Sequence, residues 1–509
     1  MLYDIAVLGV GLAAKLLLLP AYHSTDFEVH RNWLAITSSL PVEKWYFEDR
    51  SEWTLDYPPF FAWFEWTMSH FARWWDPRIV DIDRLGYASE SCVVFQRLSV
   101  ITSELVLYFA LRRFVRIHGS TTQSKVAAAL AFLSPGFLFV DHVHFQYNGF
   151  LFGILVYSMV FALEGRDLLA GGAFAVLLCF KHIFMYIAPA YFGYLLVHYC
   201  IVYHADSRRK STQKGFQQRS RINIGSSVFR LVKLGSLVAL VFGIAFGPFI
   251  AMRQMPQLAS RLFPFKRGLT HAFWAPNFWA LYTFADRALI VASRLFPRLV
   301  PSNAANMGSS TRGLVGDTGF AVLPDVLPLT TFVATLVAQA PACAILARKK
   351  CTPPRLIQSV VLCAYASFMF GWHVHEKAVM LILVPLSLLV AAPTPLTLRM
   401  FTVLAISGYY SLFPLLFGAQ ELVIKLALML IWSLCSLALL KSKGVSAWRC
   451  LSGIERLYIA GHIPLFIVSE LTPGVFGRLQ FLPLALVSVY TALGVTYSWI
   501  GFVYECLSA

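Results

Sequence analysis

The chain has 509 residues, of which 58% are hydrophobic and 13% charged, against about 25% charged in a soluble domain. The mean hydropathy is +0.65 and apolar runs near the ~20 residues that cross a bilayer recur from end to end, so a soluble globular protein is excluded and an all-α polytopic membrane protein is expected. The net charge of +16 sits in clusters between apolar runs. It reads as topology-setting charge rather than a nucleic-acid surface, which would need a basic soluble domain.

About fourteen spans are expected, near 3–21, 92–111, 126–140, 149–163, 167–181, 183–203, 234–251, 322–346, 356–372, 378–393, 400–417, 420–440, 457–470 and 480–505. Residues 1–22 are apolar like a signal peptide, but Lys15 interrupts them and no convincing cleavage site follows, so they read as an uncleaved first span. Four basic clusters orient the chain: Arg112 to Lys125, Arg208 to Lys233, Arg348 to Arg355, and Lys441 to Arg449. Positive residues favour the cytoplasmic side. With all four there, the spans alternate consistently and both termini are cytosolic. A basic loop, 204–233, is then cytosolic, while the loop 23–90 and the segment 252–320 face the other compartment. The nine cysteines are scattered without a C-x-x-C pair, so neither a zinc site nor a disulfide framework is expected.

Polar stretches from distant parts of the chain meet on that outer side. The first, "STDFEVHRNWLAITSSLPVEKWYFEDRSEWTLDYPPFFAWFEW", mixes carboxylates with aromatic rings. Rings pack on the apolar faces of sugars, and a carboxylate can take a proton from an attacking hydroxyl. Asp26 is the leading acid, beside the end of the first span, where acidic groups are often functional. It also reads as a helix-start residue after Ser24 and Thr25, with His30 on the same face. The tryptophans read equally as an interfacial belt.

The second stretch, "DHVHFQYN", holds Asp141, His142, His144, Gln146 and Asn148. Two histidines at i, i+2 suit a metal, but no partner pattern completes a ligand set, so no metal is expected. The third, "GWHVHEKAVM", offers His373, His375 and Lys377 to a phosphate; Lys181 and His182 reach the same side. The fourth, "RLFPFKRGLTHAFWAPNFWALY", places Arg261, Lys266 and Arg267 against the positive-inside trend, for which an anionic ligand is one reason. Asn277 and its neighbouring tryptophans are interfacial candidates.

The stretches "DFEVHRNW", "LDYPPFFAW", "DHVHFQYNGFLFGIL", "RLFPFKRG" and "HVHEKAVM" resemble the endoplasmic-reticulum glucosyltransferases that use dolichyl-phosphate glucose, over about residues 22 to 395 and weakly beyond. "DHVHFQYNGFLFG" and "RLFPFKRGLTHAFWAPNFWALY" look most like the branch that adds the second glucose to the lipid-linked oligosaccharide.

The resemblance implies a glycosyltransferase C superfamily fold, a lumenal active site and an inverting α-1,3 transfer. It implies dolichyl-phosphate glucose as donor, a dolichyl-diphosphate-linked oligosaccharide as acceptor, and no metal or other cofactor. The family's proposed base maps to Asp26, with Glu28 and Asp56 as possible second carboxylates. His373, His375, Lys377 and Arg267 are expected at the donor phosphate. Arg31, Trp33, Tyr57, His142, His144, Gln146 and Asn148 are expected to line the substrates. The alternatives are the first-glucose step, another dolichyl-phosphate-sugar transferase, or a lipid-linked sugar transporter, against which stands the lack of matching halves.

Overall fold

A computed structural model describes residues 2–203, 222–263, 268–271, 274–295, 319–348, 351–416, 418, 420–472, 475, 479 and 481–508. The chain is helical almost throughout. Among the described residues, eight helices are long and apolar enough to cross a membrane: Glu90–Ile117, Thr122–Val143, His182–Cys200, Ile224–Ala251, Pro328–Ala347, Pro395–Leu415, Glu421–Leu439 and Leu482–Ser508. Ile5–Leu17, Asn148–Leu163 and Asp167–Phe180 are shorter apolar helices. The remaining expected spans fall on Pro353–Phe370, Met380–Leu389, and Gly453–Ala460 with His462–Phe466. Each expected span therefore has a helix, but length and apolarity single out eight.

One boundary differs from expectation for a local reason. The helix after the basic loop begins at Ile224 instead of 234, because the Asn223 side chain accepts from Ser226 N and caps it. Arg230 and Lys233 then ride on its exposed first turns. Most of the rest of that loop lies outside the described residues.

The loop 23–90 is a folded cap. Ser24 accepts from Asp26 N to start the helix Thr25–Ser39. Pro59, whose missing N–H is no loss in a first turn, starts Pro59–Trp75. Asp76 ends that helix and caps the 3-10 turn Pro77–Val80. Trp33, Trp45, Tyr46, Leu55 and Phe61 form a core that reaches Phe249, Leu258 and Leu262. The tryptophans therefore divide: Trp33 and Trp45 are 1% exposed, whereas Trp74 is 83% exposed, with Trp66 and Trp75 also open.

The segment 252–320 docks on this cap through its helix Met255–Leu262. Gln257 Nε2 and Arg261 Nε both donate to the Tyr46 carbonyl, at 2.9 and 3.1 Å. Arg261 is thus bound to the protein's own backbone. Asn277, expected at the interface, is buried. Its Oδ1 accepts from Trp279 N and Ala280 N at the start of Phe278–Leu295, and its Nδ2 donates to Phe368 O. Trp279 Nε1 donates to Gly371 O at 3.0 Å. The "APNFW" motif is therefore a cap and a clasp that fixes this segment beside residues 371–377.

Candidate active site

Three donors from two distant segments converge on one oxygen of Asp26. Lys377 Nζ is 2.7 Å from Oδ2, Gln146 Nε2 donates to it at 2.8 Å, and His144 Nδ1 lies 3.3 Å away. Among the described residues no hydrogen bond reaches Oδ1. The side chain is 20% exposed, and those of Lys377 and His144 are 15% and 9% exposed. Burial alone would raise the carboxyl's pKa, but the charge of Lys377 and the bonds from His144 outweigh it and hold Asp26 well below the ordinary carboxylate range. The carboxylate is ionised, oriented through Oδ2, and open through Oδ1.

Local backbone geometry explains how "DHVHFQYN" supplies two of these donors. Residues Leu138–Val143 form a π turn, and Phe145 follows with φ +60°, a left-handed conformation that a bulky residue rarely adopts. Phe145 packs on Phe27 and lies beneath the Arg97 guanidinium, 4.3 Å from the ring centroid. That anchor compensates the strain and leaves His144 and Gln146 turned to Asp26. Arg97 also donates to the carbonyls of Ala21, Tyr22 and His142, tying the end of the first apolar helix to this stretch. Ser24 Oγ donates to His144 O at 2.9 Å. His144 Nε2 faces Leu415 O at 3.1 Å, beside the Tyr22 hydroxyl, so both ring nitrogens meet acceptors.

A chain of amides leads away from Asp26. Gln146 Oε1 accepts from Asn148 Nδ2 at 2.8 Å, and Asn148 Oδ1 accepts from Lys181 Nζ at 3.1 Å. Asp141 fixes Asn148 from the side, accepting from its Nδ2 at 2.8 Å and from Gly149 N at 2.5 Å. The helix Asn148–Leu163 comes close to Glu104 here: a Cβ on Gly149 would stand 2.4 Å from Glu104 Cγ.

The "HVHEK" stretch forms a second polar group. One nitrogen each from His271, His373 and His375 lies within 4.8 Å of the others, and the His271 and His375 rings are 3.8 Å apart. His373, at φ +51°, donates from Nδ1 to Gly268 O at 2.7 Å. His271 Nδ1 is 3.1 Å from Glu376 Oε2. Burial would raise the Glu376 carboxyl, but the bond to His271 and the surrounding cations bring it to about 2. Burial lowers His375 well below the usual histidine range, and His271 beside it adds to this. Such a trio can hold a metal ion through neutral rings or an oxyanion through charged ones. The Lys377 ammonium two residues from His375 favours an anion.

The other sequence candidates stand elsewhere. Glu28 forms a bidentate pair with Arg31, at 2.8 and 2.6 Å, and Arg31, fully buried, also holds the carbonyls of Ile79 and Asp81. Trp33 donates to the carbonyls of Trp53 and Thr54 inside the cap core. His30 pairs with Glu65 at 2.7 Å. His142 is sealed against Glu104 at 2.5 Å. Tyr57 edges Trp33 and Phe61, and its ring lies 4.8 Å from Lys181 Nζ. The charge of Asp56 acts on Tyr46, Tyr57 and Lys181. Arg267 and Lys266 lie outside the described residues. The structure thus joins Asp26, His144, Gln146, Asn148 and Lys377, and leaves Glu28, Arg31, Trp33 and His142 in structural contacts. Sequence reading gave Tyr22 and His271 no role, since neither stands in a polar run that singles it out.

An oriented carboxylate with one free oxygen and an ammonium beside it can remove a proton from a hydroxyl while positive charge nearby receives an anionic leaving group. The comparisons agree with that chemistry. The model of the ALG6, ALG8 glycosyltransferase family matches residues 11–502, so the likeness extends well past residue 395. A Gibberella zeae protein named dolichyl pyrophosphate Glc1Man9GlcNAc2 alpha-1,3-glucosyltransferase is 49% identical over 97% of this chain and 96% of its own length. Proteins with the same name from Bos taurus and Arabidopsis thaliana are 44% and 45% identical. They cover 98% and 97% of this chain, and 94% and 95% of their own lengths. With matches from end to end of the chain, and with a carboxylate-and-lysine site beside its apolar helices, this multi-pass membrane protein belongs to the ALG6, ALG8 glycosyltransferase family and is a glucosyltransferase.

Proposed function

We propose that the chain, acting as one membrane-embedded domain, transfers glucose from dolichyl-phosphate glucose to the lipid-linked oligosaccharide carrying nine mannoses and one glucose. The new bond is α-1,3, made in one inverting displacement at the lumenal face of the endoplasmic reticulum, with both termini cytosolic. The acceptor follows from the shared name of the relatives. The observation that carries the mechanism is the convergence of Lys377, Gln146 and His144 on Asp26 Oδ2, which leaves Oδ1 for the substrate.

In this reading Asp26 Oδ1 takes the proton of the acceptor 3-hydroxyl as its oxygen attacks the anomeric carbon. The bond from that carbon to the phosphate oxygen breaks, and the electron pair leaves with dolichyl phosphate, which gains one negative charge. In this reading the imidazoles of His373 and His375 take up part of that charge, and the Lys377 ammonium, paired with the base, adds to it only through space. No acid is needed, since a phosphate is already a good leaving group.

The test is glucose transfer by the purified protein beside its Asp26→Asn variant, with a chelator present and each oligosaccharide acceptor offered separately. Transfer to the one-glucose acceptor by the wild type alone is expected. Equal transfer by the variant would remove Asp26 as base. Activity only on the unglucosylated acceptor would move the chain to the first-glucose step. Loss of wild-type activity on adding the chelator would return the histidine trio to a metal.

A further inference from the structure

The cations of this region differ in how their charge is used. Lys377 is in an ion pair with Asp26 itself. Arg97 spends its guanidinium on three backbone carbonyls. Lys15 is paired with Glu104. Lys181 is half-buried and forms no ion pair among the described residues. Its Nζ has a neutral amide oxygen, Asn148 Oδ1, on one side and the Tyr57 ring on the other. Its direct contacts are thus to neutral groups, while the charges of Asp141, Asp26 and Asp56 act on it from beyond ion-pair distance and oppose the effect of burial, so an arriving anion meets an ammonium with no ion-pair partner among the described residues.

Its position relative to the base carries the argument further. In an in-line inversion the base and the departing oxygen lie on opposite sides of the anomeric carbon. Inverting glycoside hydrolases show the same need for a fixed gap, with their two flanking carboxyl groups about 6.5–9.5 Å apart. Lys377 touches the base, so in this resting arrangement it marks the attacking side. Lys181 is set off from Asp26 by two side-chain amides whose orientation is fixed throughout: Lys181 donates to Asn148, Asn148 to Gln146, and Gln146 to Asp26. This relay holds a cation and a carboxylate at a set separation across one site.

Building on the transferase reading above, we propose that Lys181 binds the phosphate of a prenyl-phosphate-linked substrate. Asn148 and Gln146 act as positioning residues that fix the spacing between this phosphate cation and the base. Lys181 provides charge for substrate binding in the resting enzyme, and Lys377 serves mainly the base. The Tyr57 ring beneath the ammonium adds a cation–π contact and an apolar face beside the phosphate.

The experiment measures binding to the purified full-length protein of two probes that cannot donate glucose, a short-chain prenyl monophosphate and the matching prenyl diphosphate. The variants are Lys181→Gln and Lys181→Arg. Glutamine keeps a donor for Asn148 Oδ1 and removes only the charge, so a merely structural lysine would tolerate it. Lys181→Gln is expected to weaken monophosphate binding by about tenfold or more, as for loss of a charge-assisted bond, while Lys181→Arg stays within about threefold of wild type. Where the wild type transfers glucose, the donor KM of Lys181→Gln should rise by the same factor with kcat within about threefold.

A loss confined to the diphosphate would keep Lys181 as a phosphate ligand and assign it to the acceptor. Unchanged affinity of Lys181→Gln for both probes would overturn the proposal and leave the transferase reading standing. Weakened probe binding in a protein whose wild type transfers no glucose would sink the transferase reading and leave the phosphate site intact. Should Lys181→Gln not fold, the arginine variant decides: a loss as large as that expected of glutamine would mark the lysine as structural.

Discussion

Two clusters in this molecule have the same chemical parts and opposite surroundings. Glu104 meets Lys15 at 2.8 Å and His142 at 2.5 Å. Asp26 meets Lys377 at 2.7 Å and His144 at 3.3 Å. Their histidines are two residues apart on one stretch of chain. The three side chains of the Glu104 group are no more than 2% exposed, and Lys15 is also stacked 3.7 Å over the Phe132 ring. Asp26 is 20% exposed, with one oxygen open. A sealed carboxylate with its partners in place can only brace the helices around it. An open one, with its partners behind it, can accept a proton from a substrate.

The largest contrast should come from neutralising each carboxylate in turn. Asp26→Asn is expected to lower glucose transfer by about 10²–10⁴-fold, the range for loss of a positioned base, and to leave thermal unfolding in detergent nearly unchanged. Glu104→Gln should do the reverse. It strands Lys15 as an uncompensated buried charge, which costs about 3–5 kcal/mol, seen as a lower unfolding midpoint with near-normal transfer per folded molecule. If the two variants had similar effects on both readouts, the division into bracing and reacting clusters would be wrong.

Lys377 gives a pH test of the same idea. Its charge is the largest influence pulling the Asp26 carboxyl down, against burial, which pushes it up. In the wild type, Asp26 therefore stays ionised as the pH falls well below neutral, and its acid limb lies far to the acid side. In Lys377→Met the opposing influence of burial is left to dominate, so the carboxyl becomes protonated at higher pH. Transfer should fall by about tenfold at neutral pH, and the acid limb of kcat should move toward neutrality. A variant that loses rate with an unmoved acid limb would show that Lys377 serves the phosphate alone.

Much of the frame was legible in the sequence because lipid imposes a simple rule: a span must be apolar and helical to satisfy its backbone. That rule located the helices, and the charge clusters separated the polar stretches from them. Asp26 was legible through its place just past an apolar run and within a family-like stretch. The pairing of the histidines was not. His142 and His144 are equivalent in "DHVHF", and only the π turn and the left-handed Phe145 send one to Glu104 and the other to Asp26. Lys15 looked like a flaw in a span because its partner is 89 positions away in the chain. Trp33 looked like a sugar platform because composition does not tell a folded cap from an open loop.

A smaller effect is expected at Gly149, where the sealed cluster meets the amide relay. An alanine Cβ would stand 2.4 Å from Glu104 Cγ, so either Glu104 or the start of the helix Asn148–Leu163 must shift. Overpacking of this kind costs about 1–3 kcal/mol. Because Asp141 holds both Gly149 N and Asn148, Gly149→Ala should lower the unfolding midpoint and raise the donor KM together. An effect on stability alone would show that the relay does not feel the helix start.

The smallest difference sharpens the comparison most, because it compares neighbours. His144→Gln removes a long contact to Asp26, and an average net hydrogen bond is worth about 0.5–1.5 kcal/mol, so transfer should fall by threefold to tenfold, as an energy of about that size implies. Unfolding should hardly change, since Tyr22 OH still donates to Leu415 O at 2.6 Å. His142→Gln removes a short contact from a sealed carboxylate whose Oε1 already has no hydrogen-bond partner. That leaves Glu104 with Lys15 alone, and about 1–3 kcal/mol of stability should be lost with transfer per folded molecule retained. Measured side by side, the two variants separate exposure from chemistry, since the residue type and the substitution are identical and only the surroundings of the carboxylate differ.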